Sequence, residues 1–384
     1  MQGDHFDDIV LGVGAMGSAA CVHLARRGRR VLGLEQFDIA HDQGSSHGRS
    51  RVIRKAYFED PRYVPLLLRA YDLWRELETD WVRARPADAE PLLHITGGLN
   101  IGPPSHPAIA GVLASVQQHE LAHERLSAAD VCRRHPALQP APDDVAIFEA
   151  DAGFVLPEAG IRAHAALARL AGADIRTRQR VTAVSIDAAP IRVATASGEF
   201  TAERLIIAGG AWLPALAPGL FSLRVERQVQ FWFQPREPAL FTPARLPVFI
   251  HFLADRSYYG IPATGGGVKV CRHHGGATVT PESVDRVARP ADEADVRAYL
   301  RAHLPAADGP LLDALVCLYT HPPDENFILG PHPRNPRVLI AGGFSGHGYK
   351  FAPVIGEILA DLATDARTRH DIRLFDPRRP AVAG

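Results

Sequence analysis

The chain has 384 residues, 46% hydrophobic and 22% charged, a balance that supports a sizeable core and excludes a disordered polymer. A formal net charge of −1 offers no electrostatic basis for nucleic-acid binding, so any attraction for anions must be local. No apolar run approaches the roughly 20 residues that span a bilayer, and no basic-then-apolar leader precedes Asp8, so a cytoplasmic protein without a membrane partner is expected.

In chain order, Asp8-Ile9-Val10-Leu11 predicts a strand, Gly12 to Gly17 a turn, the Ala-rich stretch through Arg27 a helix, and Val31 to Glu35 a second strand. Apolar residues recur at helical spacing from Tyr63 to Leu77, and Pro86 to Pro91 reads as a loop. His94 to Ile101 and Val145 to Phe148 read as strands, and Pro157 to Ala171 as a helix followed by Asp174-Ile175 and Arg180 to Ile186. Arg204 to Trp212 is an apolar strand running into Gly209-Gly210, whereas Val225 to Phe233 and Pro247 to Val270 suit a separate antiparallel sheet. Val338 to Ala341 leads through a second glycine-rich turn into a helix from Pro353 to Ala363. With no repeat and no low-complexity linker, two interleaved domains are expected. Residues 1–80, 150–215 and 318–384 are assigned to a discontinuous nucleotide-binding domain, and 81–149 and 216–317 to a substrate domain on a mainly antiparallel sheet.

Gly12-Val13-Gly14-Ala15-Met16-Gly17 follows a strand and opens a helix, the context in which G-x-G-x-x-G binds a dinucleotide. The first glycine permits the turn, the second admits the pyrophosphate, and the third lets the helix pack on the sheet of this Rossmann-type α/β unit. Glu35, ending the second strand, is placed to accept a ribose 2′-hydroxyl. The pattern does not separate NAD from FAD. Cys21, Cys132, Cys271 and Cys317 are scattered, with no C-x-x-C pair and no metal-ligand spacing, so neither a disulfide framework nor a metal is expected.

His47, Arg51 and Arg54 are spaced by four and three, so a helical turn would gather them on one anion-attracting face. A solvated basic face has the same spacing. The segment GSSHGRSRVIRKAYFED, in which they lie, resembles that of the monomeric sarcosine oxidase and N-methyltryptophan oxidase family, which includes L-pipecolate oxidases. The likeness continues through Thr96-Gly97-Gly98-Leu99, Tyr258-Tyr259-Gly260, Lys269 with His273, Cys317-Leu318-Tyr319-Thr320, Asp324 to Phe327, and Gly343 to Phe351. It covers almost the whole chain and implies FAD rather than NAD.

By composition Cys317 reads as a buried structural cysteine, but the resemblance implies that its sulfur bonds covalently to the 8α carbon of FAD. It also implies that Arg54 and Lys350 clamp a substrate carboxylate, that Lys269 activates oxygen by its charge, and that His273 and Tyr259 line the substrate site. A one-residue deletion before Lys269 leaves Tyr258 as a rival for the tyrosine's place. If Gly267 to His273 is a strand, Lys269 and His273 share a face. His47, Arg51 and His273 are candidates for selecting the unprotonated amine, so the catalytic set comprises Lys269, His273, Arg51, His47 and Tyr259. Backbone N–H groups of the turn from Gly343 to Lys350 are placed to face the flavin's pyrimidine end. The cofactor set is Gly12, Val13, Gly14, Ala15, Met16, Gly17, Glu35, Ser45, His47, Arg51, Val181, Gly209, Trp212, Cys317, Gly343, Gly346, Gly348 and Lys350.

The implied activity is oxidation of a small secondary amino acid at its C–N bond to an imine, with oxygen reduced to hydrogen peroxide, by a monomer. Sarcosine, pipecolate, proline and N-methyltryptophan are the candidate substrates. A same-fold dehydrogenase with another acceptor is the alternative enzyme. An idle flavin-binding sensor is disfavoured because Arg54, Lys269, Cys317 and Lys350 occur together. The sequence departs from the family's pattern at Arg49, Ile250, Arg272 and Gly330, which bears on substrate identity, with Arg49 expected at the site entrance.

Overall fold

The strands His5–Leu11, Val31–Leu34, Asp174–Arg176, Gly198–Ile207 and Asn335–Gly342 are joined in parallel in a computed structural model that describes residues 5–85, 87 and 90–384. Pro86, Asp88 and Ala89 of the expected loop lie outside the described residues, as do the first four residues. The central residues of these strands, such as Ile9 to Leu11, Leu205 to Ile207 and Val338 to Ala341, are apolar because both faces are covered there. Val10, Ile206, Leu339 and Ala341 join one core cluster, whereas Ile9, Leu11, Leu205, Ile207, Val338 and Ile340 join the cluster on the other side. The first cluster packs under the helices Ala15–Arg26, Pro157–Leu170, Val64–Ala84 and Ala352–Asp365. Antiparallel strands flank the parallel set: Ile328–His332 pairs with Asn335–Gly342, and Val181–Ser185 with Ile191–Thr195, which continues onto the start of Gly198–Ile207.

A second sheet of nine strands is antiparallel except where Gly98–Gly102 runs parallel to Val248–Phe252. The expected strand from His94 to Ile101 is two elements, Leu93–Ile95 and Gly98–Gly102, which belong to different sheets. The divisions at 80/81 and 317/318 run through the helix Val64–Ala84 and the strand Leu311–His321. That strand pairs along its length with Arg224–Phe233 in the antiparallel sheet.

Strand periodicity decides which side chains lie on each face of this second sheet. On one face Phe231, Phe233, Val268, Val270, Phe249 and Tyr258 form a core cluster. The register pairs Gln228 with Cys317, Trp232 with Lys269, Tyr259 with Cys271, and Ile250 with Tyr259, so these alternate residues, with His273, share the opposite face.

Candidate active site

Two connected cavities lie between the sheets. The longer, of about 230 Å³, is lined by Gly12, Gly14, Ala15, Met16 and Glu35 at the ends of the parallel strands, by Ser45, Val181, Gly209 and Trp212, and by Arg51, Gly343, Gly346 and Gly348. The smaller, of about 60 Å³, is lined by Arg54, Glu59, Ile250, Tyr259, His273, Cys317, His347 and Lys350 among others. Arg51, Tyr319, Gly346 and Tyr349 border both.

The longer cavity has the chemistry of a dinucleotide groove. A Cβ built on Gly17 would stand 1.8 Å from the Gly12 carbonyl oxygen, so only glycine allows this approach of helix and turn. A Cβ on Gly14 meets no protein atom within 4 Å and would enter the groove, where a pyrophosphate needs the space. The helix Ala15–Arg26 has no side-chain cap, so its first N–H groups are available to phosphate oxygens. The buried Glu35 carboxylate accepts Val13 N–H at 2.8 Å and Phe37 N–H at 3.0 Å. Each oxygen keeps a lone pair for a ribose hydroxyl. Val13 and Gly17 thus shape the groove without lining it.

The cationic segment is not a helix. Arg51–Ile53 is a strand, paired with Gly153–Val155, and Gly48 and Arg49 before it have positive φ. His47, Arg51 and Arg54 therefore do not share a helical face; tertiary pairing overrides the spacing. Instead, the half-buried Arg51 guanidinium donates to the carbonyls of Ser45, His47 and Ser50 and to the Gln230 side chain. Lys269 Nζ donates to Gly48 and Ser50 carbonyls, each at 2.8 Å. It stands on the same sheet face as His273 but beside the smaller cavity rather than on its lining. His47 is buried with neither ring nitrogen hydrogen-bonded, and burial, helped by Arg51, pushes its pKa down to about 4.

Arg54 and Lys350 both reach the smaller cavity. Arg54 is sandwiched between the rings of Tyr57 and Phe58, 4.2 and 4.4 Å from their centroids, and pairs with Glu59 at 2.9 Å. Lys350 Nζ donates to the His347 carbonyl at 2.6 Å. Burial pushes the Lys350 and Lys269 pKa values down to about 7, in each case with an arginine adding to the effect. Burial acts to raise the Glu59 pKa, but Arg54, His347 and Lys350 hold it below its ordinary value. His273 Nδ1 lies 3.2 Å from the Tyr319 hydroxyl, and Cys317 faces the same cavity. Burial raises the Cys317 pKa above its ordinary value, with Arg51 and Lys269 opposing, so the cations moderate the thiol's burial without overcoming it.

The tyrosine ambiguity is resolved by alternation. Tyr259 lines the cavity, whereas Tyr258 stacks on Tyr299 at 4.0 Å and donates to Asp295 at 2.9 Å. Arg49 lies over Trp232 and pairs with Asp313 instead of lining either cavity, and Arg272 turns toward Asp295. Gly330 has φ +147°, with its Cβ position 3.0 Å from Pro377, a setting that an aspartate would strain. Ile250 lines the cavity and packs with Ile109 and Phe252. Sequence reasoning missed Glu59, Tyr319 and His347. Glu59 carried a signal, an acid five residues after Arg54, and the other two sit inside motifs already singled out.

A groove with dinucleotide chemistry that shares lining residues with a small cationic cavity defines a redox enzyme of the dinucleotide-binding α/β class. The chain belongs to the FAD dependent oxidoreductase family, whose pattern matches residues 7–362. It is 43% identical to a monomeric sarcosine oxidase of Streptomyces avermitilis, over 98% of both chains. It is 36% identical to an N-methyl-L-tryptophan oxidase of Salmonella dublin, over 96% of this chain and 98% of that one. Among solved structures, the open form of NikD, an unusual amino acid oxidase essential for nikkomycin biosynthesis, superposes with a TM-score of 0.84 at 26% identity, covering 97% and 98% of the two chains. The protein is thus an FAD-dependent amine oxidase of this fold. Among the described residues no helix is long and apolar enough to cross a membrane.

Proposed function

We propose that the protein oxidises a small secondary amino acid, sarcosine foremost, at its C–N bond to an imine, with O2 reduced to H2O2. The observation that carries this reading is the pair of buried cations, Arg54 and Lys350, on one cavity of about 60 Å³. A carboxylate drawn in among these buried side chains needs charged partners, because leaving it unpaired away from water costs several kcal/mol. The small volume favours sarcosine over N-methyltryptophan, whose name a 36% identical relative carries. FAD, when bound, supplies the two-electron acceptor.

The chain's own residues orient and desolvate the substrate. Arg54 and Lys350 hold its carboxylate, Ile250 and Tyr259 exclude water from the N-alkyl side, and His273 faces the amine. His273 is held neutral by burial, with His274 adding to the effect, so it can accept a hydrogen bond from the amine without adding charge. Arg51 and His47 support this selection of the unprotonated amine. Lys269, in its protonated form, places a positive charge beside the redox centre that favours electron transfer to oxygen. The protein acts as a monomer in the cytoplasm.

Sarcosine, pipecolate, proline and N-methyltryptophan, compared by peroxide release and by an artificial electron acceptor, test the reading. Turnover of sarcosine with stoichiometric peroxide is expected. Turnover with the artificial acceptor alone would identify a dehydrogenase, and failure of all four to bleach the flavin would overturn the proposal.

Cys317 is proposed as the covalent flavin attachment, through its sulfur to the 8α carbon. The holoenzyme should keep its yellow colour in the acid-precipitated pellet, and Cys317→Ser should release all of it to the supernatant. A wild-type pellet without flavin would remove the link.

A further inference from the structure

Beyond the redox cavity, the antiparallel sheet gathers a second group of chemically active side chains. Arg224 pairs with His321 and Glu226 with Tyr319, so all four share the face that farther along carries Cys317. His274, in the bend after the strand Val268–His273, brings its ring to 5.2 Å from that of His321. One carboxylate oxygen of Glu226 and one nitrogen each of His274 and His321 consequently lie within 4.8 Å of one another.

The imidazole donors are held in place and underused. Glu226 and His321 are only 1% and 3% exposed. Glu226 Oε1 accepts Gly276 N–H at 3.0 Å and the Gln228 amide, and Oε2 accepts from the half-exposed Arg224 guanidinium in an ion pair that a bound ion would have to replace. Neither nitrogen of His321 nor Nδ1 of His274 has a hydrogen-bond partner, an arrangement that native interiors rarely leave unfilled. His321 Nε2 is 3.6 Å from Glu226 Oε2, while its Nδ1 faces Glu325 at 3.8 Å. A carboxylate behind a ligand imidazole is the usual means of fixing its orientation.

We propose that Glu226, His274 and His321 form a binding site for a divalent transition-metal ion of the zinc class, distinct from the redox cavity. Two imidazoles and one carboxylate are a zinc-type donor set, and water can complete four-coordination. Burial above all keeps both histidines below their ordinary pKa, His321 at about 4, so both are in the neutral, ligating form at pH 7. Metal–ligand bonds of about 2.1 Å bring donors to roughly 3.4 Å apart, so the side chains close inward and Arg224 turns outward to solvent. The site borders the redox centre, since the His274 ring centroid is 3.8 Å from that of His273. An ion there would anchor the bend that follows His273. The three ligands are separated by 48 and 47 positions, which is why no spacing motif announced them.

The test uses chelator-stripped holoenzyme titrated with Zn2+ by calorimetry, with Co2+ as a spectroscopic probe at wavelengths beyond the flavin's absorption. One saturable Zn2+ per chain, a tetrahedral Co2+ spectrum and a raised melting temperature are expected. His321→Asn and His274→Asn should each weaken Zn2+ binding about tenfold or more while flavin content stays unchanged. No saturable binding would overturn the proposal. So would undiminished affinity in the variants, since it would trace binding to others of the 18 histidines. If His321→Asn does not fold, the less buried His274→Asn decides alone.

Discussion

The groove at the ends of the parallel strands is built from backbone, and most of its phosphate end comes from Gly12 to Glu35, one short stretch of chain. The cavity beside it is built from side chains carried by Arg54, Ile250, His273, Cys317 and Lys350, which span most of the sequence. In the first, a Cβ at Gly17 has no room and one at Gly14 would enter the groove, while the second holds buried charge that Glu59 compensates at Arg54 and the His347 carbonyl at Lys350. Damage to the groove should therefore act on cofactor retention, and damage to the cavity on substrate and oxygen with the cofactor still bound.

The largest effect separates the two glycines of the groove. Gly17→Ala would press its Cβ against the Gly12 carbonyl and should yield insoluble or flavin-free protein. Gly14→Ala has no protein atom to collide with, so it should fold with little change in melting temperature yet lose flavin. Flavin-to-protein absorbance ratios with thermal melts read both, and full flavin in Gly14→Ala would show that the pyrophosphate lies elsewhere. In the cavity, Lys269→Met should slow flavin reoxidation by oxygen about 10²- to 10³-fold while leaving reduction by substrate nearly intact. Stopped-flow measurement of the two half-reactions checks this, and equal slowing of both would break the distinction.

This contrast also sets how much was legible in the sequence. The groove is local, so the glycine spacing and Glu35 mark it within a single βαβ unit. The cavity's cations were found through resemblance, because spacing alone pointed His47, Arg51 and Arg54 to a helix that does not form. The backbone N–H and carbonyl groups of Arg51–Ile53 find partners in Gly153–Val155, about a hundred residues away, and no local pattern reports that pairing. Alternation within a strand was legible: it placed Lys269 with His273 on one face. The Tyr258 and Tyr259 ambiguity needed the cross-strand partner Cys271 to settle it. Glu59 escaped because its importance lies in the pair with Arg54, and pairing is a property of the fold.

Arg54→Ala should raise the Michaelis constant about 10- to 100-fold, the loss of a charge-assisted hydrogen bond, with flavin content unchanged. An unchanged constant would leave Arg54 as the structural partner of Glu59 alone.

The smallest effect concerns Lys350 and turns on the sign of its shift. Burial and Arg54 lower its pKa to about 7, so in the empty cavity it is charged below that pH and loses its proton above it. A carboxylate ligand without an amine, such as acetate, removes the substrate's own titration from the measurement. It should bind most tightly below about pH 7 and weaken by up to about tenfold per pH unit above. Lys350→Met should bind it weakly at every pH and flatten the profile, because the only titrating partner of the carboxylate is gone. Persistence of the pH dependence in that variant would move the titration to Lys269, whose pKa burial also lowers to about 7 but whose ammonium lies behind the cavity wall.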